Sequence, residues 1–207
     1  MPAFTPVTVT ALIDDLTDRI AELRGRSVVA VDGADAADPL GFARTISDRV
    51  RTRGRACEVV SLHDFVRPAS LRLEYGRDEM SYRTAWFDYA AVNREVLRAL
   101  REQGRWLPAL WDERTDRSAR ARAVSADAET VVIIAGPMLI GRGLDFDLSV
   151  ELRLSEGALR RGTDPADSFT VEAILRHRGE QDIQPDILVA WDHRDRPAVR
   201  GGSRLRP

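Results

Sequence analysis

The chain has 207 residues, a hydrophobic fraction of 43%, 31 Lys+Arg against 33 Asp+Glu, and a formal charge of −2. That is enough apolar sequence for one well-buried domain, and the balanced charge offers no basic footprint for nucleic acid. Every basic residue in that count is arginine; the absence of lysine excludes Schiff-base and pyridoxal chemistry on this chain.

The first helical pattern runs from Thr10 to Arg24, with Ile13, Leu16, Ile20 and Leu23 at helical spacing and Gly25 as the stop. The apolar run Ser27 to Val31 reads as a buried strand that stops at Asp32-Gly33. A helix follows from Leu40 to Arg53 and ends at Gly54. A second strand, Ala56 to Leu62, leads into His63-Asp64-Phe65. Arg67 to Phe87 is an irregular excursion containing arginine and tyrosine, and Asp88 to Arg101 is a helix with Val92, Val96, Leu97 and Leu100 inward. Trp106 to Asp112 reads as a short strand, and Arg114 to Ser125 as an arginine-rich surface loop. Thr130 to Ala135 is the most apolar strand, and Leu148 to Leu154 is another. Phe169 to Arg178 is helical, and Ile187 to Trp191 is a last interior strand. Gly201 to Pro207 is expected to be a disordered tail. Strands alternating with helices at this spacing predict one α/β domain over residues 1–207, built in three layers around a mainly parallel sheet.

The segment between the first strand and the second helix is Gly33-Ala34-Asp35-Ala36-Ala37-Asp38-Pro39-Leu40. It fits the strand–loop–helix frame of a phosphate-binding loop, G-x-x-x-x-G-K-[ST], with the first glycine at Gly33. The other three defining positions are Asp38, Pro39 and Leu40. A phosphate loop works through backbone N–H groups and a helix N-terminus that converge on an anion, with a lysine adding charge. Pro39 has no N–H, Leu40 cannot ligate a metal, and Asp38 puts a carboxylate where phosphate would sit. Asp before Pro is itself a strong helix start, with Asp as N-cap and Pro at the first position. The exchange moves the local charge by two units against a triphosphate, each worth roughly 4 kcal/mol at 4 Å and an effective dielectric near 20. On this loop alone, an ordinary strand–turn–helix remains an open alternative.

Ordered landmarks elsewhere extend the likeness from about Arg26 to Val199. They are Val31-Asp32-Gly33 before the loop, Ser61-Leu62-His63-Asp64-Phe65-Val66-Arg67-Pro68, then Gly76-Arg77-Asp78, Tyr82 and Phe87-Asp88-Tyr89. Trp111-Asp112 with Thr115-Asp116-Arg117, the strand Val131 to Gly136, Asp147 to Val150, and Arg196-Pro197 complete the series. In this order the chain resembles the uridine kinase-like branch of P-loop kinases, particularly compact forms from high-GC bacterial genomes.

The resemblance implies an α/β P-loop kinase fold, and the departures from it share one theme. The Walker A positions are Asp38, Pro39 and Leu40, the position that resembles the catalytic base is His63, and the Walker B acid is replaced by Ala135. Phosphoryl transfer depends on positioning and on charge neutralisation by lysine and metal. No ATP or Mg²⁺ cofactor is therefore expected. The acceptor side is better kept. Asp88 matches an acid that resembles a ribose-hydroxyl acceptor, and Arg77, Tyr82 and Trp111 match positions near base or sugar. Asp112 and Arg117 fall in the same matched stretch. Asp88 reads equally as a helix N-cap and Trp111 as core. Arg160 and Arg161 fall near a lid-like segment and read as a solvated face.

His63, with Asp64 beside it and Asp112 able to approach, is the candidate acid/base, against the alternative that it only fills space. His177 and His193 lie in polar stretches and read as surface residues; no two histidines stand at metal-ligand spacing, so no metal site is expected. Cys57 is alone, which excludes an intramolecular disulfide, and reads as core. No leader or membrane-length apolar run is visible, so a cytoplasmic protein without a membrane partner is expected. Three readings compete: a pseudokinase that binds a nucleoside-like or other small polar ligand and works as a sensor or as the partner of another protein, an ATP-independent enzyme using His63, and a nucleoside kinase with an atypical ATP site.

Overall fold

The structure, a computed structural model, describes residues 4–74 and 76–201. In chain order its strands are β1 (Thr5–Pro6), β2 (Ser27–Gly33), β3 (Cys57–Ser61), β4 (Arg105–Trp106), β5 (Trp111–Asp112), β6 (Arg117–Ser118), β7 (Val124–Ser125), β8 (Val131–Gly136), β9 (Leu148–Arg153), β10 (Ile187–Ala190) and β11 (Ala198–Gly201). Its α-helices are α1 (Val9–Glu22), α2 (Pro39–Thr52), α3 (Ala69–Arg72), α4 (Glu79–Thr84), α5 (Tyr89–Val92), α6 (Glu156–Gly162) and α7 (Phe169–Glu180).

β2 and β8 are buried along their whole length, as strands covered on both faces must be, and their continuous apolar sequence reflects it. They sit at the centre of a seven-stranded sheet of order β1-β11-β10-β9-β2-β8-β3. The run from β10 to β3 is parallel throughout, and β11 and β1 close one side antiparallel. The chain leaves β2 for β3 and β8 on one side, then places β9 and β10 on the other. Ligand crevices in open α/β sheets form beyond the carboxyl ends of strands at such a reversal.

α1 begins where the Thr8 hydroxyl accepts from Ala11 N at 3.1 Å. It buries Leu12, Leu16 and Ile20 against the neighbouring α2, so Leu16→Ala would cost about 2–5 kcal/mol. α5 continues as an i→i+5 helix over Asn93–Gln103, which Gly104 ends in the left-handed region at φ 63°. Val92, Val96, Leu97 and Leu100 are buried along it, and Cys57 is buried in the core.

Several sequence expectations need correction. The excursion Arg67 to Phe87 contains α3 and α4. Trp106 to Asp112 is not one strand: β4 pairs with β7, and β5 pairs with β6, in two separate antiparallel ladders. Two ladders so short carry no alternating apolar pattern for the sequence to show. Gly201 ends β11 rather than opening a tail, and residues 202–207 lie outside the described residues. His177 is buried, not on the surface, because α7 turns that face inward. β1, β11 and α6 were not expected at all.

Candidate functional site

The loop after β2 uses its own donors. A 3₁₀ turn, Asp35–Ala37, bonds Ala37 N to Ala34 O and Asp38 N to Asp35 O. Asp38 takes a left-handed conformation at φ 56°, ψ 54°. Its Oδ1 accepts from Gly41 N at 3.0 Å, and its carbonyl accepts from Phe42 N. Its carboxylate lies so close over the first turn of α2 that a Cβ at Gly41 would collide with it. The loop carbonyls are held from outside: Trp191 Nε1 donates to Ala37 O and Arg194 Nη2 to Ala36 O, both at 3.0 Å. At the entrance, Gly33 packs so closely on Leu152 of β9 that an added Cβ would sit 3.2 Å from the Leu152 Cβ.

Beyond the carboxyl ends of β2 and β3 lies a cavity of about 420 Å³. Asp35 and His63 form one wall, Arg77, Tyr82 and Trp86 from the α4 region another, and Phe169 and Thr170 at the start of α7 a third. His63 stands in the 3₁₀ turn after β3, where Ser61 Oγ accepts from its backbone N. Its Nδ1 is 2.7 Å from Glu113 Oε2, and its Nε2 is 3.0 Å from Asp35 Oδ1. Burial alone would lower the imidazole pKa; the hydrogen-bonded Asp35 and Glu113 carboxylates outweigh it and raise it to about 10. At neutral pH both ring nitrogens therefore carry protons and donate, leaving no lone pair to take a proton from a substrate. Glu113 Oε1 also accepts from Arg72 Nη1 at 2.8 Å and Trp86 Nε1 at 2.9 Å. Despite burial, these donors and His63 hold the Glu113 carboxyl below its ordinary value.

Behind the loop, Asp32 is buried at the end of β2, and its Oδ2 accepts from Ile140 N at 2.9 Å. Burial pushes this carboxyl up to about 7, with the Ile140 N–H opposing and Glu151 adding to the rise. Glu151, across from Asp32 in the β2–β9 register, is held by both Arg153 and Arg178. His177 Nε2 donates to Ile140 O at 2.8 Å; burial lowers its pKa to about 4, so the ring stays neutral.

No protein-family model matches the chain, and no curated protein matches it in sequence. Solved structures do match it in shape. A protein from Bacillus stearothermophilus described as a possible uridine kinase superposes with a TM-score of 0.63 at 19% identity, over 83% of this chain and 95% of that one. A protein from Silicibacter sp. TM1040 described as a possible fructose transport system kinase gives 0.68 at 20% identity, over 88% and 98%. D-glycerate 3-kinase from Cryptococcus neoformans gives 0.54 at 12%, over 73% and 76%. The likeness is one of fold: an α/β, P-loop kinase-like fold with a seven-stranded, mostly parallel central sheet.

Within a P-loop kinase fold, the β2–α2 loop stands where a triphosphate would be cradled. Its residues do not fit that group: Ala37, Asp38, Gly41 and Phe42 direct their N–H groups to partners inside the loop, and Pro39 has none. Ala135 is buried at the end of β8, between Val31 and Ser61 in the register, and offers no oxygen from its side chain. Leu40 packs against the core.

The expected acceptor residues divide. His63, Arg77 and Tyr82 line the cavity. Asp88 does not; its Oδ1 accepts from Ala91 N at 2.9 Å and caps α5. Trp111 donates from Nε1 to Asp116 Oδ1 and also lies outside. Asp112 holds a turn by accepting from the Arg114 and Thr115 backbone, and Arg117 is exposed on β6. Asp64 is beside His63 in sequence but not on the cavity wall; burial raises its carboxyl above the ordinary value. The acids that reach His63 are Asp35 and Glu113, the latter one residue beyond the expected Asp112. Arg160 is engaged by Glu156 and Glu172 on the surface of α6. Sequence reasoning missed Asp35, Glu113, Trp86 and Phe169. A carboxylate inside the loop itself and a second acid directly after Asp112 were the available signals.

Proposed function

We propose that this protein is a P-loop kinase-like fold that does not transfer phosphate and instead binds a small, ring-bearing polar ligand in the cavity beside its former donor loop. The observation that carries this reading is the contrast between two adjacent places. At the loop, the N–H groups of Ala37, Asp38, Gly41 and Phe42 are internally bonded, Pro39 has none, and Asp38 covers the helix start. Next to it, the cavity keeps charged groups on Asp35 and Arg77 beside the rings of Tyr82, Trp86 and Phe169. Apolar walls with a few placed polar groups are the usual make-up of a small-molecule site.

The ligand is unphosphorylated in this reading, because Asp35, Glu113, Asp164 and Asp167 all line the cavity and would repel phosphate. ATP and Mg²⁺ play no part, and His63 serves as a charged clamp between Asp35 and Glu113 rather than as a base. The test is a thermal-shift screen of nucleosides, nucleotides and sugar phosphates against the wild type and Arg77→Ala, which removes a charged group from the cavity wall. An unphosphorylated ring compound is expected to raise the melting temperature of the wild type, and less so that of the variant. Stabilisation by ATP·Mg²⁺ alone would refute the reading.

A further inference from the structure

Six charged side chains line the cavity: Asp35, Glu113, Asp164 and Asp167 against His63 and Arg77. Arg72, behind the wall, pairs with Glu113, so four carboxylates against two guanidinium groups and one imidazolium leave one excess negative charge. Both positive groups on the wall are already engaged. His63 donates to Asp35 and Glu113, and Arg77 Nη2 pairs with Asp167 Oδ1 at 2.5 Å while its guanidinium lies over the Phe169 ring. The acceptors are not exhausted. Asp164 Oδ1 takes Ala166 N, Asp167 Oδ1 takes Arg77, and Asp35 Oδ1 takes His63. The Oδ2 atoms of these three aspartates accept no hydrogen bond among the described residues.

The same cavity presents ring faces beside these oxygens. Tyr82, Trp86 and Phe169 line it, while the Tyr82 hydroxyl is enclosed in the wall. A ring-bearing compound would pack against these rings while its own donors face the free carboxylate oxygens.

We infer that the cavity selects a ring compound carrying a protonated amino group, such as an amino sugar or an amino nucleoside, over its neutral hydroxyl counterpart. This rests on the reading of the cavity as the ligand site. An ammonium supplies three donors and a positive charge, which matches a wall with unused carboxylate oxygens and excess negative charge. A hydroxyl supplies one donor and no charge. Aspartates at a partly open mouth are screened, so the preference weakens as salt rises.

Calorimetry with matched pairs tests it: D-glucosamine against D-glucose, and 5′-amino-5′-deoxyuridine against uridine, all with the full chain at neutral pH. The amine of each pair is expected to bind about tenfold tighter or more, as charge-assisted hydrogen bonds do relative to neutral ones. Asp164→Asn keeps the oxygen that caps Ala166 but removes the charge, and should cut that preference several-fold. If uridine or glucose binds and the amines bind no tighter, this inference falls while the cavity remains a ligand site. An amine preference untouched by Asp164→Asn and by Asp167→Asn also overturns it. If no member of either pair binds, both this inference and the reading it rests on fail.

Discussion

His63 Nε2 lies 3.0 Å from Asp35 Oδ1, so a carboxylate on the β2–α2 loop closes onto the imidazole that follows β3. The same ring reaches Glu113 on its other nitrogen, and Glu113 in turn holds Arg72 and Trp86. Four separate chain segments are thereby tied together across the mouth of one cavity.

The first prediction concerns the charge of that ring. Its pKa is raised from 6.5 to about 10, so the folded state holds the proton more tightly than the unfolded state. The stability from this contact is complete below pH 6.5 and is lost as pH rises through about 10. An NMR titration should show no deprotonation of His63 near neutrality. Asp35→Asn and Glu113→Gln should each move its titration down. A wild-type His63 that titrates near its ordinary value would mean the clamp is not formed in solution.

Asp38 both caps α2 and accepts a left-handed backbone. Asp38→Ala should therefore cost about 1 kcal/mol for the cap, plus the difference between Asp and Ala at φ 56°, a left-handed conformation that Asp tolerates better. Asp38→Gly, which relieves the backbone, should cost only a few tenths of a kcal/mol. Chemical denaturation of both variants checks the order; a more stable alanine variant would contradict it.

A loop changed to the P-loop pattern should not by itself give kinase turnover. The triple variant Asp38→Gly, Pro39→Lys and Leu40→Thr supplies the missing loop chemistry, but His63 remains protonated and Ala135 still lacks a carboxylate. A coupled ATPase and nucleoside kinase assay should stay at background. Robust turnover would show that the loop was the whole deficit.

The fold was largely legible from sequence because the interior strands are covered on both faces, and runs such as Val28 to Val31 and Val131 to Ile134 admit little else. The helix start at Asp38-Pro39 was legible too, since one carboxylate and one proline fix it locally. The candidate site was read less well. Asp88 and Trp111 matched expected positions, yet their side chains serve local bonds to Ala91 and Asp116. Sequence spacing gives a residue's place on the chain but not the direction of its side chain. Glu113 reaches His63 from 50 residues away through a two-residue ladder, and nothing local signals that approach.

Asp32 offers a test of the buried network behind the loop. Its carboxyl rises from 3.8 to about 7, so its contribution to stability is complete below pH 3.8 and is lost as pH rises through about 7. Asp32→Asn keeps an oxygen for Ile140 N and removes the titration. Measured by urea denaturation, the variant should gain on the wild type between pH 5 and pH 8. A difference between the two proteins that is flat across that interval would contradict the shift.

The most direct test of the central claim is calorimetry of the wild-type protein with millimolar ATP and Mg²⁺. The account predicts no binding at the loop, because the N–H groups of Ala37, Asp38, Gly41 and Phe42 are internally bonded, Pro39 has none, and Asp38 covers the start of α2. A micromolar dissociation constant that is lost on substitution of Asp38 or Pro39 would contradict it.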